Sequence, residues 1–270
     1  MSLASSKRLP SAEPTYDLDY SFHDFPVDTR PDTKFFFRRI DEVMAKEGAA
    51  KGGRTLDVAC GTGNLATLLR EHGNQSWGLD PSLEMLGLSR WVYPDDEIVL
   101  VRGIAEALPF RDASFDRIVC QGSLDHFVDP QTFMREAARA LRPDGRLIVA
   151  LANYESLACW IGRFREALGQ DGHPGPRGER PYWEPPPDHY HKGDLRFVRK
   201  LGGPWLRLER CYGISLLWLV KDWDEWLERL PRAVANGLLT ATDRIAYWTP
   251  SLADMIVSVW RPRAAQGDAG

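Results

Sequence analysis

The chain has 270 residues, 43% of them hydrophobic and 27% charged, a balance that excludes a disordered chain and can fill one large α/β core. Its 34 basic and 38 acidic side chains leave a net charge of −4, and no Lys/Arg run marks a nucleic-acid or anionic-membrane footprint. Four scattered cysteines rule out a disulfide framework and no Cys-x-x-Cys pair suggests structural zinc; with no apolar run of ~18 residues and no signal-peptide core, the chain reads as soluble, reduced and cytoplasmic.

Residues 1–14 and 263–270 read as flexible ends of a single domain over 15–262. Strand candidates fall at 54–60, 75–80, 97–102, 114–120 and 146–151, with helix candidates at 63–72, 82–90 and 130–141. Regular alternation of strand and helix predicts a mostly parallel sheet with helices on both faces. The 130–141 helix is well marked: Asp129 is a natural N-cap and Pro130 suits the first helical position. Phe133, Met134, Ala137, Ala138 and Leu141 follow as one apolar stripe, and Pro143-Asp144-Gly145 reads as a turn.

Beyond 153 the texture changes. Leu157, Ile161, Phe164 and Leu168 share one face at helical spacing, and half of residues 169–188 are Gly or Pro. So long a connection is either a lid over an acceptor site, spanning 153–191, or an insert without function. Trp160, Phe164, Tyr182, Trp183 and Tyr190 flank it. Two closing strands are expected at 207–215 and 254–260, within a C-terminal part at 205–261. Between them Trp223, Trp226, Leu227 and Leu230 share a helical face.

The chemistry concentrates in Asp57-Val58-Ala59-Cys60-Gly61-Thr62-Gly63, where a buried strand runs into two glycines and a helix opens after them. Glycine lets the backbone turn sharply and approach a ligand without a Cβ in the way. At the carboxyl end of a parallel strand this loop faces the ligand crevice. Three readings compete: a plain tight turn, a dinucleotide site, or a site for another nucleoside. Gly61, Gly63 and Ala66 do fit Gly-x-Gly-x-x-Ala, with Asp80 at the end of the next strand. A pyrophosphate there would sit close to the Asp57 carboxylate and be repelled. A ligand with an ammonium or sulfonium, a ribose and no phosphate suits that acid, which disfavours a nicotinamide-dependent oxidoreductase.

With these residues the chain resembles the class I S-adenosylmethionine (SAM)-dependent methyltransferases, in the small-molecule, methyltransferase-11-like branch. The resemblance covers about residues 35–153. It is carried by Asp57 to Gly63, by Gly78-Leu79-Asp80-Pro81-Ser82, by Ala105-Glu106-Ala107-Leu108-Pro109-Phe110, by Ser114-Phe115-Asp116-Arg117-Ile118-Val119, and by Leu141-Arg142-Pro143-Asp144-Gly145-Arg146-Leu147. It implies a Rossmann-like sheet of seven strands with the last antiparallel, SAM as cofactor, S-adenosylhomocysteine as its product, and transfer of the methyl group to an O or N atom of a small-molecule acceptor. A SAM-binding protein without transferase activity is the reading from another class.

The resemblance also implies roles. Gly61 and Gly63 let the backbone approach SAM, Asp57 faces the methionine ammonium, and Asp80 takes the ribose hydroxyls. Met85 and Leu86 pack near the adenine, with the Ala105 N–H on a ring nitrogen. Ala59, Pro81, Glu106 and Gln121 complete the cofactor lining. Where the family usually has an Asp accepting from the adenine amino group, this chain has Ile104; either Glu106 supplies the contact or Ile104 packs. The last two strands, normally joined by a short hairpin, are separated by some forty helical residues, which read as part of an acceptor pocket or a homodimer interface.

Asp80 has a second reading as a helix cap, with Pro81 at the first helical position. His126, after the fourth strand, is either a general base or a loop-holding residue. His189 and His191 lack a third ligand at a recognisable spacing, so no metal site is expected, and they read as loop or pocket-mouth residues.

Overall fold

The computed structural model describes residues 30–94, 97–170 and 181–263. The expected end 1–14, the expected end 263–270 beyond Arg263, and residues 171–180 of the expected lid lie outside the described residues. In chain order the elements are α1 (Pro31–Gly48), β1 (Arg54–Val58), α2 (Asn64–Glu71), β2 (Gln75–Asp80), α3 (Leu83–Val92), β3 (Val99–Arg102), β4 (Phe115–Gln121), a 3-10 turn (Leu124–His126), α4 (Pro130–Ala140), β5 (Leu141–Ala152), α5 (Leu157–Ala167), α6 (Leu195–Lys200), β6 (Leu206–Ile214), α7 (Trp223–Glu228), α8 (Arg232–Trp248) and β7 (Met255–Pro262).

The strands form one seven-stranded sheet in the order β3-β2-β1-β4-β5-β7-β6. β1 to β5 pair in parallel, and β7 runs antiparallel to both β5 and β6, as the family resemblance implies. β1 pairs with β2 on one side and β4 on the other, so the strand order reverses there and a crevice opens at the carboxyl ends. Successive residues of the central strands feed two cores on opposite faces. Ile118, Cys120, Leu147, Val149 and Leu151 join one, around Phe133, Met134 and Trp260. Val119, Ile148 and Ala150 join the other, around Phe36, Ile40, Met44 and Leu69. Strands buried on both faces explain the continuous apolar runs in the sequence.

The 130–141 expectation holds with its cap. The Asp129 side chain accepts from the Gln131 and Thr132 N–H groups, and Pro130 opens the helix. Leu141 instead begins β5. It pairs with Phe115 while Arg146 pairs with Arg117, so the expected turn at 143–145 is a bulge within the strand. α1 was not anticipated. Pro31 at its start and Phe36, Ile40 and Met44 along one face build it against the sheet, and Arg39 Nε reaches Asp243 of α8 at 2.8 Å.

α5 forms where helical spacing predicts it, but with the other face inward. Phe164 and Leu168 are exposed, whereas Ala158, Cys159 and Gly162 are buried. The small residues win because Tyr182 and Trp183 pack against them. A Cβ on Gly162 would clash with the Trp183 ring, and the Tyr182 hydroxyl donates to the Ala158 carbonyl at 2.8 Å. These two aromatics of the expected lid therefore anchor the segment, while Trp160 and Tyr190 are exposed. Gly162→Ala should lower stability by about 1–3 kcal/mol through overpacking against Trp183, read as a lower thermal midpoint.

Asp254 precedes β7 and is buried, with the Trp218 N–H donating to its Oδ2 at 2.9 Å. Desolvation raises its pKa to about 7, against the opposing hydrogen bond from Trp218. The folded state therefore binds this proton more tightly than the unfolded chain. The stabilisation is complete below the ordinary carboxylate range and is lost as pH rises through about 7. Asp254→Asn should flatten the stability profile between pH 4 and 8 and be the more stable protein at the alkaline end, measured by urea unfolding across that range.

Candidate active site

β1 carries Leu56 and Val58 into the core and leaves Asp57, also buried, beside the crevice. The chain then turns through three left-handed residues, Ala59 (φ 56°), Gly61 (φ 53°) and Gly63 (φ 78°). The Gly63 N–H donates to the Cys60 carbonyl at 2.9 Å, and Gly63 caps α2. The two glycines are required for different reasons. A Cβ on Gly63 would meet Ser89 Oγ at 2.5 Å, whereas one on Gly61 would meet nothing within 4 Å. Gly61 thus lines open space that a side chain would fill, as a ligand cradle requires.

Asp80 ends β2 and ties two loops together. Its Oδ2 accepts from the Gly61 N–H at 2.8 Å and its Oδ1 from the Ser82 N–H at 2.9 Å. The cap of α3 is Ser82, whose hydroxyl accepts from the Met85 N–H. This corrects the alternative reading: Asp80 does not cap α3, and Leu83, not Pro81, opens it. Asp80 keeps lone pairs beyond those two bonds, so a ribose diol can still share it. Burial raises its pKa despite the two N–H donors.

Asp57 is pushed well above the usual carboxylate range, first by burial and then by the charge of Asp80, with the Ala66 N–H opposing and Asp41 adding to the rise. Asp41 stands on α1 and accepts from Asn64 Nδ2 at 3.2 Å and from Gln121 Nε2 at 3.0 Å. It was missed because its helix was, and it lies well upstream of the glycine loop. Asp41, Asp57 and Asp80 surround one crevice. That field repels phosphate and attracts a cation, so these residues fit the ammonium and ribose of SAM.

Met85, Leu86 and Ala105 are buried. The Ile104 carbonyl accepts from the Ala107 N–H at 3.3 Å. Glu106 Oε1 accepts from the Val128 N–H at 2.9 Å and the Asp129 N–H at 3.3 Å, so that oxygen holds the segment after the 3-10 turn.

At the end of β4 the structure gathers residues the sequence left apart. His126 Nδ1 lies 3.5 Å from Asp188 Oδ2, and His189 Nδ1 lies 2.8 Å from Asp125 Oδ2. The two imidazoles meet edge to face at 4.2 Å, and the Tyr154 hydroxyl is 3.3 Å from His189 Nδ1. The Tyr190 and His191 N–H groups both donate to the Asp125 carbonyl. His191 parts from His189 and stacks on Phe197. Asp125 and His189 were not candidates together; sixty-odd residues separate them, and only the return of the chain after α5 makes them neighbours.

Residues 56–149 match the family described as Methyltransferase domain. That match, and the relatives the chain resembles, support a class I SAM-dependent methyltransferase family for this stretch. It is 37% identical over 125 residues to an uncharacterized methyltransferase of Mycobacterium bovis, covering 46% of this chain and 50% of that protein. It is 31% identical over 129 residues to a ubiquinone biosynthesis O-methyltransferase of Sodalis glossinidius, again covering 46% and 50%. The chain thus spans about half the length of the curated relatives it matches. The crystal structure of the PH0226 protein from Pyrococcus horikoshii has the same fold, with a TM-score of 0.56 and 16% identity, covering 87% of this chain and 93% of that one. The matched part of the chain runs from β1 to β5, the strands that build the crevice.

Proposed function

We propose that this protein transfers a methyl group from SAM to an oxygen or nitrogen atom of a small-molecule acceptor. The observation that carries the reading is the acidic crevice built on the glycine loop: Gly61 over open space, Asp80 bound to its N–H, and Asp57 buried beside it. When bound, SAM supplies a sulfonium-activated methyl group. The chain's residues then act mainly by position. Asp57 and Asp41 favour the ammonium end, Asp80 receives the ribose hydroxyls, and Met85, Leu86 and Ala105 wall the base. Holding both reactants in line accounts for much of the rate in such a transfer. The relative in S. glossinidius is an O-methyltransferase by name, which supports oxygen among the acceptor atoms. No helix among the described residues is long and apolar enough to cross a membrane.

Asp80→Ala should weaken SAM and S-adenosylhomocysteine binding by ~1.5–3 kcal/mol, the scale of a charged hydrogen bond, while NAD shows no binding to either form. A lower thermal midpoint with unchanged affinity would leave Asp80 as a loop tie alone. The raised pKa of Asp57 gives a second expectation. An arriving ammonium favours the ionised carboxylate, so binding should release a proton and tighten as pH rises towards the Asp57 pKa of the ligand-free protein. Calorimetry in buffers of different ionisation enthalpy measures that proton, and Asp57→Asn should abolish its release. An acceptor-library turnover screen then tests the transfer itself.

A further inference from the structure

We propose that Asp125, His126 and His189 form a binding site for one divalent transition-metal ion of the zinc or cobalt class. Each residue offers a ligand atom, and these atoms all lie within 4.8 Å of one another. Two imidazole nitrogens and one carboxylate oxygen suit zinc, cobalt or nickel, whereas magnesium and calcium prefer oxygen throughout. Three protein ligands leave a further position for water or another small ligand.

A second observation points to the missing cation. Asp125 is 1% exposed, and its Oδ1 has no hydrogen-bond partner among the described residues. A buried carboxylate oxygen left unpaired is costly. The competing explanation is a simple Asp125–His189 hydrogen bond. It accounts for the 2.8 Å separation of Oδ2 and Nδ1, but not for the unpaired Oδ1, nor for the His126 ring pressed against His189. In the ion-free protein the Nδ1–H of His189 donates to Asp125; an ion takes the place of that proton.

The surroundings hold the ligands in place. Backbone bonds from Tyr190 and His191 to the Asp125 carbonyl, and from the His189 N–H to the Pro186 carbonyl, fix the His189 segment onto the 3-10 turn. Asp188, at His126 Nδ1, is placed to be the outer partner that orients an imidazole bound to metal through its other nitrogen. The turn follows β4, next to β1 in the sheet. On the methyl-transfer reading the open position is therefore suited to an acceptor oxygen, and the acceptor class would be a hydroxylated or carboxylated molecule able to bind the ion; the metal site itself does not depend on that reading.

The test uses untagged full-length protein, stripped with a chelator and titrated with zinc and with cobalt alone. One ion per chain should bind, and cobalt should give visible ligand-field bands of a low-coordinate nitrogen–oxygen site. Asp125→Ala and His189→Ala should each weaken binding by about tenfold or more, the least expected when even an outer partner is worth that much. His72→Ala, on the exposed end of α2, should bind like the wild type. Should the two buried-site variants fail to fold by circular dichroism, His126→Ala, at a partly exposed ring, carries the same expectation. Wild-type binding no tighter than that of His126→Ala, or absence of cobalt bands, overturns the site and leaves Asp125–His189 as a hydrogen-bonded pair. SAM affinity, measured separately, is expected to survive in these variants, so failure of the metal site and failure of the methyltransferase reading are told apart.

Discussion

The Asp80 carboxylate gives the crevice its shape. One oxygen takes the N–H of Gly61 from the loop after β1, and the other takes the N–H of Ser82 from the turn into α3. Two adjacent parallel strands are thereby joined at their carboxyl ends by a charged acceptor as well as by the sheet ladder. The glycine loop needs such a tie because three of its residues lie in the left-handed region, where a residue with a Cβ such as Ala59 is held at a cost of about 1–2 kcal/mol. Strain of that kind persists only where surrounding bonds over-determine it.

The same arrangement stores electrostatic cost. Asp57 and Asp80 are both buried and both raised by that burial, and the charge of Asp80 further disfavours ionisation of Asp57. A fold selected for stability alone has little use for two carboxylates so placed. A cationic ligand would convert that cost into affinity, because the fields that penalise the free protein act on a positive charge with opposite sign. The α1 residue Asp41 extends that field while its two amide partners, Asn64 and Gln121, join α1 to the start of α2 and the end of β4.

On the other side of β4 the chain departs from a plain sheet-and-helix layout. Asn153, just past β5, donates to the carbonyls of Ser251 and Ala253, fastening the departing chain to the loop before β7. Tyr182 and Trp183 then clamp the returning chain on α5. Between these anchors His189 is delivered to Asp125. The meeting of Asp125 and His189 therefore depends on small residues, Ala158 and Gly162, that admit two large aromatics.

What the sequence determined was local in the chain. Strand-and-helix alternation, the Asp129 cap of α4, the glycines of the loop and the acid at the end of β2 are each set by neighbours a few residues away, so spacing alone exposed them and the family resemblance ordered them. The tertiary structure decided what depends on distant partners. It turned the small face of α5 inward because Trp183 needed Gly162, made Ser82 the cap because Asp80 was held by Gly61, and absorbed an expected turn into β5 because Phe115 and Arg117 fixed its register. It alone brought Asp41 to Gln121 and His189 to Asp125. Those contacts close long loops, and no local periodicity records which side chains meet when they do.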